Sequence, residues 1–133
     1  MLQTYSHPRQ EVTALLSPTD VMRLQALADG VYLDDELYDY VLALTRYTRR
    51  HPQVQLGASP RASLALVHAA RAHALIAGRD FVLPDDVKFL APSVLAHRVL
   101  LTPDAQLEGA APESVIAEAL ERVPWRRPGA AAT

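Results

Sequence analysis

Apolar residues recur along this chain in successive runs at helical spacing, and each run is punctuated by proline, glycine or an acidic residue that can start or stop a helix. The earliest clear start is Ser17. Its hydroxyl can cap a helix, Pro18 suits the first helical position, where its missing N–H would have no partner, and Asp20 supplies the capping-box acid three residues on. Val21, Leu24 and Ala28 follow at helical spacing, and Gly30 is placed to end the helix in a left-handed conformation. Val31, Tyr32 and Leu33 read as a short extended link. Asp34 then caps a second helix with Asp35 and Glu36 in its first turn, and Leu37, Tyr40, Val41, Leu44 and Thr48 form its inward stripe. Arg46, Arg49, Arg50 and His51 crowd its last turns, where cations favour the negative end of the macrodipole, and Pro52 stops it.

The segment HPQVQLGA reads as a loop into a third helix, from Ser59 to about Ala77, which Gly78 terminates. At about 1.5 Å per residue that helix is roughly 28 Å long, about the diameter of a small domain. Leu64, Leu66, Val67, Leu75 and Ile76, with alanines between them, make it apolar nearly all round, which predicts a central helix surrounded by others. Arg79 to Leu83 is a short extended piece. Pro84, Asp85 and Asp86 open a short helix carrying Val87, Leu90 and Ala91, which Pro92 is expected to break. VLLT can pair as a small strand, PDAQLEGAA reads as a linker, and Pro112 starts a last helix with Val115, Ile116, Ala119, Leu120 and Val123 opposite Glu118, Glu121 and Arg122.

The pattern predicts an all-α or nearly all-α bundle, with at most a short β-hairpin. It spans residues 17–125, after an irregular lead-in over 1–16 that packs Leu15 and Leu16 on the body and before a disordered tail over 126–133. With 133 residues, half of them apolar and 21% charged, the chain can bury a real core without staples, and it has no cysteine to form one. No apolar run reaches the roughly 18 residues of a membrane span and MLQTYSHPRQ lacks the pattern of a signal peptide, so a cytoplasmic protein with no membrane partner is expected. A net charge of −2 disfavours nucleic acid as a partner, because phosphate-backbone binders are strongly basic.

Familiar catalytic patterns are missing: there is no GxxxxGK[ST] phosphate loop, no Rossmann glycine pattern, no HExxH and no nucleophile elbow. His68 and His73 lie about 140° apart around a helix and do not converge on a metal. Asp85 and Asp86 are explained by capping, with Arg98 a candidate partner for either, and the Arg46, Arg49, Arg50 and His51 cluster by dipole compensation. No catalytic or metal-binding residue is assigned. Arg61 stands apart. Gly57 and Ala58 allow a tight approach, Ser59 caps, Pro60 takes the first helical position, and Arg61 sits in the first turn, where its charge opposes the dipole. A cation there calls for an anion, and free backbone N–H groups with a five-donor guanidinium suit a phosphate; the plain alternative is an arginine pointing into water or pairing with a carboxylate.

The run TRYTRRHPQVQLGASPRASLALVHAARAHALIAGRDFVLPDDVKFLAPSVLAHRVLL resembles the C-terminal lid domain of MoxR-type AAA+ ATPases, which carry TR-x-HP, GASPRA, GRD-x-V-x-PDDV and VLAHR segments in this order. HPRQEV and VMRLQALADGVYL extend the resemblance over about residues 7 to 125. It implies that Arg61 is the second sensor arginine, reaching from the lid to the γ-phosphate of ATP held with Mg by the preceding ATPase core, with Pro60 near the nucleotide. It further implies a chaperone-like remodelling ring whose partners are the chain's own core, neighbouring subunits and, in some members, von Willebrand A domain proteins. The phosphate loop and the other core motifs are not in this sequence, so it is expected to be a piece of a longer protein that neither binds nor hydrolyses ATP alone. The rival expectation is a stand-alone helical protein-interaction module that uses the basic end of the second helix or an apolar groove.

Overall fold

The computed structural model describes residues 12–125, so the expected disordered tail, 126–133, and most of the lead-in lie outside the described residues. Helices α1 (Pro18–Asp29), α2 (Asp35–Arg50), α3 (Pro60–Ile76), α4 (Pro84–Leu95), α5 (Pro103–Leu107) and α6 (Pro112–Arg122) form the body. A two-stranded antiparallel sheet pairs β1 (Val54–Leu56) with β2 (Leu100–Leu101). The bundle is therefore nearly all-α, as the periodicity predicts. The two strands do not form a hairpin, because α3 and α4 separate them in the chain.

The predicted caps hold at α1 and α2. Ser17 and Asp20 form a reciprocal capping box, and the Asp34 carboxylate accepts from the Glu36 amide. Two helix-end expectations fail. Gly30 ends α1 at φ −79°, in the right-handed region, because its amide can still reach carbonyls of the last turn. Ser59 leaves α3 without a side-chain cap. Gly78 does take the left-handed conformation, at φ +75°, and lets the chain reverse after α3.

The core is centred on α3, which packs against α1, α2 and α4, while α6 closes the other side against α2 and α4. Leu37, Tyr40, Val41, Leu44 and Thr48 of α2 are all buried, as their stripe predicts, and they meet Ala62, Leu66, Val67, Ala70 and Ala74 of α3. The enclosure of α3 is incomplete, since Leu64 and Ile76 face solvent. The same correction applies to α1, which buries none of its residues: Val21 and Leu24 stay more than two-fifths exposed. Leu15 and Leu16 are also exposed rather than packed on the body.

Helix α4 continues through Pro92 to Leu95 instead of breaking there. The proline forfeits one backbone bond, but burial of Val87, Ala91 and Leu95 along one face offsets that cost. The segment read as a linker contains α5, where the Thr102 hydroxyl accepts from the Ala105 amide and Ala105 is buried. The extended link after α1 meets the one after α3: the Tyr32 amide donates to Asp80 O, and the Val82 amide donates to Tyr32 O.

Candidate functional site at the start of the third helix

Arg61 is exposed in the first turn of α3, a turn that holds no acidic residue. None of the ion pairs formed among the described residues uses it. The backbone around it is held firmly. Ala58 and Ala62 on either side are fully buried, and the Ala62 amide donates to Ser59 O at 2.8 Å. Pro60 occupies the first helical position, where its ring fixes φ without costing a hydrogen bond. The helix start thus presents a guanidinium and the positive end of a dipole to solvent on a fixed mount, an arrangement that can take an oxyanion.

This helix start is mounted on the last turns of α2. The Thr48 hydroxyl accepts from the Ala58 amide at 3.0 Å and donates to Thr45 O at 2.7 Å. Arg49 Nε donates to Ala58 O at 2.7 Å. One turn further along α3, the Ser63 hydroxyl donates to Thr45 Oγ1 at 3.0 Å. Gly57 lies directly on α2: a Cβ there would come within 2.7 Å of the Arg49 backbone. The close approach expected of Gly57 is real, and it explains why Arg49 can span to the next carbonyl. The sequence places Arg49 in a basic cluster that compensates the dipole or meets an acidic partner, and Thr48 in the inward stripe, and neither reading reaches the backbone of the next segment. The available signal was a hydroxyl residue at a buried position of α2, facing a segment whose backbone groups needed partners.

The rest of the basic cluster lines a cleft of about 750 Å³ between α2 and α6, with Arg46, Tyr47, Arg50, His51, Glu118 and Val123 on its walls. Glu118 was expected to face solvent. Instead it accepts from the Tyr47 hydroxyl at 2.7 Å and pairs with His51 Nε2 at 3.0 Å and Arg122 Nε at 3.2 Å. The Tyr47 hydrogen bond, followed by that of His51, holds its carboxyl below the ordinary carboxylate value. The Gln53 amide donates to His51 Nδ1, which leaves the ring proton on Nε2, facing Glu118.

The two histidines tested as a metal pair go separate ways. His68 lies 3.6 Å from Asp29, and His73 Nδ1 lies 2.8 Å from Asp86. No group of three potential ligands for a metal occurs among the described residues. Asp86 does not pair with Arg98; it takes two hydrogen bonds from Arg79, and Asp85 lies nearest Lys88. As a fit to ATP, the start of α3 offers one guanidinium and one helix end, enough to touch a phosphate.

Residues 46–119 match the AAA lid domain family. Over 122 residues the chain is 42% identical to YeaC, an uncharacterized protein of Bacillus subtilis, a stretch that is 92% of this chain and 38% of YeaC. It is 42% identical over 118 residues to the chaperone MoxR1 of Mycobacterium tuberculosis, covering 82% of this chain and 31% of MoxR1. A solved structure of a candidate ATPase from Cytophaga hutchinsonii superposes with a TM-score of 0.78 at 29% identity, over 82% of this chain and 36% of that one. The chain therefore spans between 31% and 38% of the length of these relatives.

Proposed function

Because this chain belongs to the AAA lid domain family, as a lid of the MoxR-type AAA+ ATPases, we propose that it reads the nucleotide state of a parent ATPase through Arg61. The observation that carries this reading is the exposed Arg61 guanidinium at the first turn of α3, with no ion-pair partner among the described residues. A solvated cation at the positive end of a helix is unfavourable until an anion arrives. The γ-phosphate of ATP, held with Mg by the core, is that anion. Five donors in a fixed fork let one arginine neutralise charge as it develops on the transferring phosphoryl group. Pro60 keeps the helix start in place beside it. Contact made in the ATP state and lost after hydrolysis gives the lid a differential affinity for the two states, which is what moves it against the core. The parent then works as a chaperone-like remodelling ring, with its core and the neighbouring subunits as the lid's partners and von Willebrand A domain proteins as further ones. The test is Arg61→Ala in the parent ATPase: the thermal midpoint stays unchanged while ATP turnover falls by about 100-fold, the scale of a lost transition-state donor. Turnover at the wild-type rate contradicts the reading.

The cleft between α2 and α6 favours a second reading, that of a protein-interaction module. Three donors already satisfy Glu118, so the charges left open at the rim are Arg46 and Arg50, which form no ion pair with described residues. An acidic partner segment fits that rim. Arg46→Glu with Arg50→Glu weakens partner capture on this reading and leaves ATP turnover alone; loss of turnover with unchanged capture speaks against it.

A further inference from the structure

The backbone of Ala58 has one donor and one acceptor, and both are taken by adjacent residues of α2, Thr48 and Arg49. This is an unusual use of a long cation at a helix end. Dipole compensation asks only that Arg49 lie near the last carbonyls of its own helix. Its Nε instead crosses to the chain entering α3, and the crossing is short because Gly57 has no Cβ to hold the two backbones apart. On the other side of Arg61, Ser63 is buried and hydrogen-bonded to Thr45. The hydroxyl chains run on without a gap: Thr48 donates to Thr45 O, and Thr45 donates to Leu42 O. Arg61 is thus the exposed cation between two pinned points, Ala58 just before α3 and Ser63 in it, and both pins belong to α2.

We propose that Arg49 is a positioning residue for Arg61, and that Thr48 shares this role. It rests on the reading of Arg61 as the nucleotide contact and adds the device that aims it. A guanidinium on a freely swinging helix start would pay an ordering cost each time it met a phosphate; the α2 clamp removes that cost in advance. Arg49 touches no phosphate in this scheme. It acts on the backbone from which Arg61 projects. The Arg49 side chain is exposed, so its removal leaves the core intact.

The test is a double-mutant cycle on ATP turnover in the parent ATPase, with Arg49→Ala, Arg61→Ala and the pair combined. Arg49→Ala is expected to lower turnover on the order of tenfold, as misplacement of a contacting group does. Adding it to Arg61→Ala is expected to change turnover less than about twofold, since a clamp has nothing left to aim. Thr48→Val, which keeps the buried volume and deletes the acceptor for the Ala58 amide, is expected to repeat the pattern, and Arg49→Lys does not rescue it because an ammonium lacks Nε. In this chain by itself, Arg49→Ala frees the Ala58 carbonyl and loosens the segment that Thr48 still holds, so hydrogen exchange of the Ala58 amide speeds by more than the accompanying fall in thermal midpoint accounts for. Wild-type turnover in Arg49→Ala, or a double variant that loses the product of the two single losses, overturns the positioning role while the role of Arg61 stands. Wild-type turnover in Arg61→Ala overturns both.

Discussion

Asp86 is 4% exposed and still carries a charge, because Arg79 donates two hydrogen bonds to it and the Leu83 amide and His73 add theirs. Burial alone would push its carboxyl up. The hydrogen bonds from Arg79, the Leu83 amide and His73 together outweigh burial and hold the group below its ordinary value of 3.8. A carboxyl whose folded pKa is depressed contributes stability that is full above the unfolded value and is lost as pH falls through the folded one. The thermal midpoint of this chain is therefore expected to be level above about pH 5 and to drop below about pH 4. Asp86→Asn is expected to make that acid-side drop smaller, because its charge no longer depends on pH; an identical drop in the variant removes Asp86 from the account. Asp86→Ala at neutral pH strands Arg79 beside an empty site and should lower the midpoint by roughly 10 °C. The capping role of Asp86 was visible in its position three residues after Leu83. Its pairing with Arg79 and His73 was not, since His73 reaches it only when α3 and α4 pack side by side, and Arg79 only when the link between those helices turns back on the start of α4.

The helices differ in how much their packing stabilises the fold. Leu66 of α3 is fully buried in the core, so Leu66→Ala is expected to cost about 2–5 kcal/mol in denaturant unfolding. Leu24 of α1 is 46% exposed, and Leu24→Ala should cost less than about 1 kcal/mol. Equal losses would show that α1 is buried in solution. Both positions lie on apolar stripes of similar appearance, which marks the limit of periodicity: a stripe shows which face could be buried and says nothing about whether another element covers it. Most of the bundle was legible because its starts carry a capping side chain, as at Ser17 and Asp34, or a proline at the first position, as at Pro60 and Pro112, and its stripes recur at helical spacing. Pro92 misled because a local rule met a buried face strong enough to hold the helix together. The α5 turn was hidden in a segment too short for a period to show, and β1 finds its partner only across two intervening helices.

The assembled lid exposes apolar side chains in two places: Leu64 lies one turn after Arg61, and Met22 and Leu27 lie along α1, with Leu27 beside Leu75 and Gly78 at the far end of α3. Such surface drives weak self-association when its natural cover is missing. Sedimentation equilibrium of this chain is expected to show an average mass that rises with concentration, and Leu27→Glu with Leu64→Glu is expected to suppress the rise; a strict monomer at millimolar concentration contradicts it. The position of the candidate site was legible in GASPRA, where glycine, proline and arginine each have a physical reason to stand at a helix start. Its mount was not, because Thr48 and Arg49 look like an ordinary core residue and an ordinary helix-end cation until α2 and α3 are laid side by side. The claim on which the rest depends is that Arg61 meets the γ-phosphate, and ATP turnover of the parent ATPase carrying Arg61→Ala tests it most directly. The account predicts a folded protein with turnover reduced by about 100-fold; a folded variant that hydrolyses ATP at the wild-type rate would contradict it.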